Sequence, residues 1–66
     1  MTEYTNSAIR LIIEEHIHSE KDRIILCRRL IDGWTYREIA EAVDMDESTC
    51  RRKVYKLQNK VFKYFA

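Results

Sequence analysis

The sequence predicts an all-α protein of four helices built around a helix-turn-helix. Three observations carry this. The chain has no proline and a single glycine, so little in it breaks helices or builds tight hairpins. Its apolar residues recur at three- and four-residue spacings, the period of a helix face, instead of alternating as in a strand. The stretch from Trp34 to Leu57, WTYREIAEAVDMDESTCRRKVYKL, reads as two short periodic runs separated by a polar break. Its first run opens with Thr35 and, three residues on, Glu38, the spacing of a capping box. Tyr36, Ile39, Ala40 and Val43 then share one face. After Asp44-Met45-Asp46, a second run places Cys50, Val54, Leu57 and Val61 on one face and Arg51, Arg52, Lys53, Lys56 and Lys60 on the others. That is a helix-turn-helix with a basic second helix.

The elements follow in order. Met1 to Tyr4 have no periodicity and are expected to fray. A first helix of about 7–18 begins after Asn6 or Ser7 as N-cap and aligns Ile9, Ile12, Ile13, His16 and Ile17. Protonated His16 and His18 suit the negative end of its dipole. Ser19 with Asp22 three residues later caps a second helix of about 20–32, whose stripe is Ile24, Cys27, Leu30 and Ile31, broadened by Ile25 and Leu26. Gly33 falls where a helix end calls for left-handed backbone, and Trp34 after it is placed to pack back on the helix it leaves. The third helix covers about 36–43. The fourth, about 47–63, has Asp46 as N-cap, and its far half extends the apolar stripe through Leu57, Val61, Tyr64 and Phe65 onto helix one, while Phe62 points elsewhere. No repeat, low-complexity tract or linker divides residues 1–66, which are expected to form a single domain.

At 66 residues the core is small, burying about 60% of the surface of the unfolded chain. No apolar run approaches the roughly 18 residues of a membrane span, and no basic-then-apolar leader is visible, so no membrane partner and a cytoplasmic location are expected. Cys27 and Cys50 both sit in apolar phase and read as buried free thiols. The formal net charge is only +1, which gives no bulk attraction to nucleic acid. Its distribution is uneven: residues 34–47 carry one arginine against five acids, and residues 48–66 carry six lysines and arginines with no acid. The positive charge is therefore concentrated on the last helix, as a groove-entering helix requires and as a solvated lysine-rich face would also show.

In such a motif the N-terminal turns of the second helix meet base edges. The outward residues there are Glu47, Ser48, Arg51, Arg52 and Tyr55. Ser48, Arg51, Arg52 and Tyr55 are the candidate base contacts, with Arg51 or Arg52 able to take guanine O6 and N7 together. Thr35, Tyr36 and Arg37 at the start of helix three, with Lys53 and Lys56, are the candidate phosphate contacts. His16 and His18 do not share a helical face and no close cysteine pair exists, so no metal site is expected. With no glycine-rich phosphate loop and no nucleophile motif, neither an enzyme nor a cofactor is expected. The aromatic tail Phe62, Tyr64 and Phe65 reads first as core and second as a homodimer contact.

From Asp22 to Val61 the chain resembles the helix-turn-helix of region 4 in sigma-70-type sigma factors, and the small bacteriophage transcriptional regulators built on the same domain. The apolar helix leading into DGWTYREIA, the small Ala40 where the paired helices touch, Cys50 at a position usually valine or isoleucine, and TCRRKVYKL carry the resemblance. LuxR-type regulators and small phage terminase subunits share the pattern. The resemblance implies major-groove binding of double-stranded DNA by the helix beginning at Asp46, and contact with RNA polymerase. Asp44 departs from the family's usual turn glycine, and aspartate accepts left-handed backbone better than most residues but less well than glycine. Asp44, Asp46 and Glu47 also place three acids at the mouth of the reading helix, where they favour the helix dipole but repel phosphate.

Two functional readings follow. One is a sequence-specific transcriptional regulator that reads DNA with helix 47–63. The other is an interaction module on the same scaffold that binds and modulates RNA polymerase or another host protein, a reading favoured by the near-neutral charge and the acidic turn.

Overall fold

The computed structural model describes residues 5–65, with the side chain of Phe65 left aside. The expected fraying of Met1 to Tyr4 lies outside the described residues, as does the placement of the Phe65 ring. Among the described residues four α-helices follow in order, α1 (Asn6–His16), α2 (Glu20–Leu30), α3 (Tyr36–Ala42) and α4 (Glu47–Phe62), with a 3-10 turn after them at Lys63–Phe65. There is no strand among the described residues. The all-α helix-turn-helix expected from sequence is the fold observed, with each helix start within one residue of its expected position.

Local chemistry sets most of these boundaries. The Ser19 hydroxyl accepts from the Asp22 N–H, and the Asp46 carboxylate accepts from the Ser48 N–H at 3.1 Å. Thr35 and Glu38 form the full capping box, with the Glu38 N–H donating to Thr35 Oγ1 and the Thr35 N–H donating to Glu38 Oε1. The N-cap of α1 is Thr5, not Asn6 or Ser7, because its hydroxyl takes the Ala8 N–H at 3.1 Å. Three capping-competent residues stand in a row there, and the outermost lengthens the helix by a residue. At its other end α1 stops at His16 rather than His18. Ile17 is extended and buried, and the Arg23 guanidinium takes the carbonyls of Glu14 and Ile17 that the ending helix leaves without partners.

Among the described residues two have positive φ, Gly33 at 74° and Asp44 at 55°. Asp44 closes α3 in a Schellman arrangement: the Met45 N–H reaches the Ala40 carbonyl at 2.8 Å, and the Asp44 N–H points to that of Glu41 at 3.4 Å. The turn therefore adopts the left-handed geometry expected of it, with aspartate where glycine is easier. Gly33 serves the end of α2, where the Trp34 N–H reaches back to the Arg28 carbonyl at 2.9 Å. Trp34 packs back as expected, its ring 4.9 Å from the Arg28 guanidinium carbon.

The apolar residues form two clusters. In one, Ile9, Ile13, Ile17, Leu26 and Val61 join α1, α2 and the far end of α4, flanked by Ile12, Cys27, Leu30, Ile31 and Leu57. In the other, Ile25, Ile39, Ala40, Cys50 and Val54 join α2, α3 and the near end of α4, flanked by Trp34, Tyr36, Val43 and Met45. This corrects the expected stripe of α2. Ile25 and Leu26 are its fully buried residues and Ile24 is 41% exposed, because α2 lies between the clusters and points one of these neighbours into each. Each fully buried Ile, Leu or Val contributes about 1.5–3 kcal/mol relative to exposure. A domain of this size has only about 3–10 kcal/mol to lose.

Candidate nucleic-acid interface

Ala40 and Cys50 meet in the second cluster and bring α3 against the first turns of α4. With Cys50, Val54 and Val61 fully buried, the rotation of α4 is fixed. At about 100° per residue, Arg52 and Asn59 then face directly away from the core, with Ser48 and Tyr55 on one side of them and Lys56 on the other. Ser48, Arg52, Tyr55 and Lys56 are all exposed, and none makes an ion pair or side-chain hydrogen bond among the described residues.

Arg51 stands at the edge of this face nearer α3. Its Nη2 lies 3.2 Å from Glu47 Oε2, and its guanidinium carbon is 5.3 Å from the centroid of the Tyr36 ring. The same ring takes Arg29 at 4.2 Å, and Arg29 also donates to the Trp34 carbonyl at 2.9 Å. Tyr36 is thus held half-buried between the ends of α2 and α4. Lys53 stands at the opposite edge, where its Nζ is 3.0 Å from Asp22 Oδ1 on α2. That oxygen is buried and has no hydrogen-bond partner among the described residues, so the ammonium is the charge that balances it. The structure thus brings Ser48, Arg51, Arg52, Tyr55 and Lys56 onto one surface and turns Lys53 inward.

Thr35 and Arg37 are exposed at the start of α3, where Arg37 Nε lies 3.6 Å from Glu41 Oε1. The Thr35 backbone N–H, and then its hydroxyl, hold the exposed Glu38 carboxyl below its ordinary value. Of the three acids at the turn, Asp46 is occupied as a cap and Glu47 by Arg51, while Asp44 is exposed with its backbone in the turn. The i,i+4 spacing of Glu47 and Arg51 is legible in the sequence. The Arg29–Tyr36–Arg51 stack and the Lys53–Asp22 pair join residues with no regular spacing.

Away from this surface, burial pushes the thiols of Cys27 and Cys50 above their ordinary value, opposed at Cys27 by Arg10. Both are free, with Cys50 buried and Cys27 half-buried, and both stay protonated at neutral pH, as structural thiols do. Tyr64 is half exposed, yet its ring stacks on His16 with centroids 3.7 Å apart and planes 9° from parallel. Tyr64 thus packs on α1 from outside the core, and Phe62 is only half-buried, which corrects the expectation that the tail is core.

A short capped helix, a tight left-handed turn and a second helix with an exposed basic face define a helix-turn-helix protein. The chain matches the family model described as Sigma-70, region 4 over residues 19–57, more than half its length, and it belongs to that family. Neither a curated protein nor a solved structure matches it significantly. The family is a DNA-binding helix-turn-helix domain without enzymatic activity, and its members bind DNA and the core of RNA polymerase. None of the helices among the described residues is long and apolar enough to cross a membrane.

Proposed function

We propose that this protein is a sequence-specific transcriptional regulator of the small phage type that inserts α4 into the major groove of double-stranded DNA in the bacterial cytoplasm. The carrying observation is the exposed row Ser48, Arg52 and Tyr55, with Arg51 and Lys56 at its edges, set opposite the buried stripe of α4. Arg52, which has no ion-pair partner among the described residues, is the first candidate to take guanine O6 and N7. Arg51 is the second. Lys56, Arg37 and Thr35 flank the row as phosphate contacts, with the Tyr36 hydroxyl beside them. For Lys53 to reach a phosphate it has to leave Asp22. Pairing of two copies through the outer face of Tyr64, in the C-terminal turn, would give the two-fold reader that a palindromic site requires.

The test is a selection from random duplex DNA followed by affinity measurement. Arg52→Ala is expected to cost about 1–3 kcal/mol at the selected site and to relax preference at one base pair. If Arg51 and Arg52 are both replaced by alanine and the selected site is bound as tightly as by the parent, the assignment of α4 as reader is wrong.

A second reading is supported by the acids of α3 and the turn. Glu38, Glu41 and Asp44 are all exposed, and acids suit a protein surface better than phosphate. In this reading the domain docks on RNA polymerase and modulates it, as its family membership supports. Salt discriminates the two: binding to phosphates weakens steeply between about 50 and 200 mM, whereas an apolar protein contact barely responds.

A further inference from the structure

Arg51 differs from its neighbour Arg52 in being confined. Its guanidinium lies near the half-buried Tyr36 ring on one side and meets the Glu47 carboxylate at 3.2 Å on another. Asp46 is spent on the Ser48 N–H, so Glu47 is the acid of the first turn that is not a cap. Its side chain is 48% exposed and that of Arg51 is 60% exposed, which leaves both within reach of a duplex seated on α4. An exposed pair of this kind adds little to folding. Its effect lies in what Arg51 can bind.

We propose that Glu47 is a specificity-determining residue, one that steers Arg51 toward a base edge and away from the DNA backbone; this rests on the reading of α4 as the recognition helix. The two kinds of acceptor differ in charge. A phosphate is an anion, so it competes with Glu47 for the guanidinium and is repelled by the carboxylate beside it. Guanine O6 and N7 are neutral acceptors that need two N–H groups. The guanidinium has five, so one remains on Glu47 while two face the base. The carboxylate thus penalises the sequence-independent contact and spares the sequence-specific one. A near-neutral protein gains from such a device, because discrimination is the ratio of the two affinities.

The test compares the parent, Glu47→Gln, Arg51→Ala and the double variant, first on a duplex selected by the parent and then on an unrelated duplex of equal length. Anisotropy is measured from about 50 to 200 mM salt, the range in which phosphate contacts are most salt-sensitive. Freed from its partner in E47Q, Arg51 adds one phosphate contact to the unrelated duplex. The slope of log K against log salt then steepens by about 0.9, which amounts to about a threefold gain at the low-salt end. The selected duplex gains less, so the specificity ratio falls. In the R51A background the same Glu47→Gln change leaves the slope where R51A set it.

Equal gains on both duplexes, or a slope change that persists without Arg51, would overturn the proposal while leaving α4 as the reader. Failure of the parent to select or bind any duplex at low salt would overturn both. Since both side chains are exposed, thermal midpoints within about 2 °C of the parent, below the shift of 1 kcal/mol, confirm that the variants compare folded proteins.

Discussion

If Lys53 simply offered its charge to DNA, replacing it by methionine would lower DNA affinity and leave the fold untouched. The structure leads to the opposite expectation. Methionine preserves helix propensity and most of the side-chain volume, so the substitution chiefly deletes the ammonium that stands 3.0 Å from Asp22 Oδ1. The Asp22 side chain is only 15% exposed, and its Oδ1 has no hydrogen-bond partner among the described residues. Stranding one partner of a fully buried pair costs about 3–5 kcal/mol. The Lys53 side chain is 39% exposed, and water screens such a pair, so about 1–2 kcal/mol is the reasonable loss for an unmet, partly buried charge. For a domain this small that lowers the thermal midpoint by about 4–8 °C per kcal/mol.

Urea denaturation followed by far-UV circular dichroism, with the single Trp34 as a second probe, measures the loss directly. Asp22→Asn combined with K53M should recover part of it, giving a coupling energy of about 1 kcal/mol in the double-mutant cycle. On DNA, once binding is measured well below the unfolding transition, K53M should change the salt slope by much less than the roughly 0.9 of a full phosphate contact. Unchanged stability together with a slope reduced by a full contact would refute the assignment of Lys53 as a strut between α2 and α4.

Three further outcomes test the frame of the motif. Thr35→Ala removes the acceptor of the Glu38 N–H and is expected to cost about 0.5–2 kcal/mol in urea denaturation. The same box gives a pH signature. Because hydrogen bonding lowers the folded-state value of the Glu38 carboxyl, its contribution is present above the unfolded value and disappears as pH falls through the lowered folded value. A plot of stability against pH for Glu38→Gln should lack that acid-side step. Ala40→Leu inserts bulk where α3 meets α4 at a position only 4% exposed; overpacking there should destabilise by about 1–3 kcal/mol and weaken DNA binding through the changed helix pairing.

The sequence disclosed what depends on near neighbours. The Thr35–Glu38 box, the caps at Ser19 and Asp46 and the left-handed positions Gly33 and Asp44 are set by contacts within a few residues, and each stands where the sequence placed it. The start of α1 was ambiguous because Thr5, Asn6 and Ser7 can all cap a helix. The rotation of α2 was misjudged because Ile24, Ile25 and Leu26 are equally apolar; only its position between two clusters decides that Ile25 and Leu26 are buried. The outward face of α4 followed from its period, but the engagement of Lys53 with Asp22 and of Arg51 with Tyr36 depends on how separate helices meet. Arg23 was silent for the same reason: its role is to take carbonyls from the preceding helix, six and nine residues away.

The division of the apolar residues into two clusters gives α4 a mechanical role. Cys50 and Val54 anchor its near end in one cluster, and Val61 anchors its far end in the other, with some three turns of rigid helix between Cys50 and Val61. The far end is thus held by α1 and α2, and the matched family segment ends at Leu57, short of that grip. The rotation that presents Ser48, Arg52 and Tyr55 is therefore set at the near end by Cys50 and Val54, while Val61 ties the far end to α1 and α2.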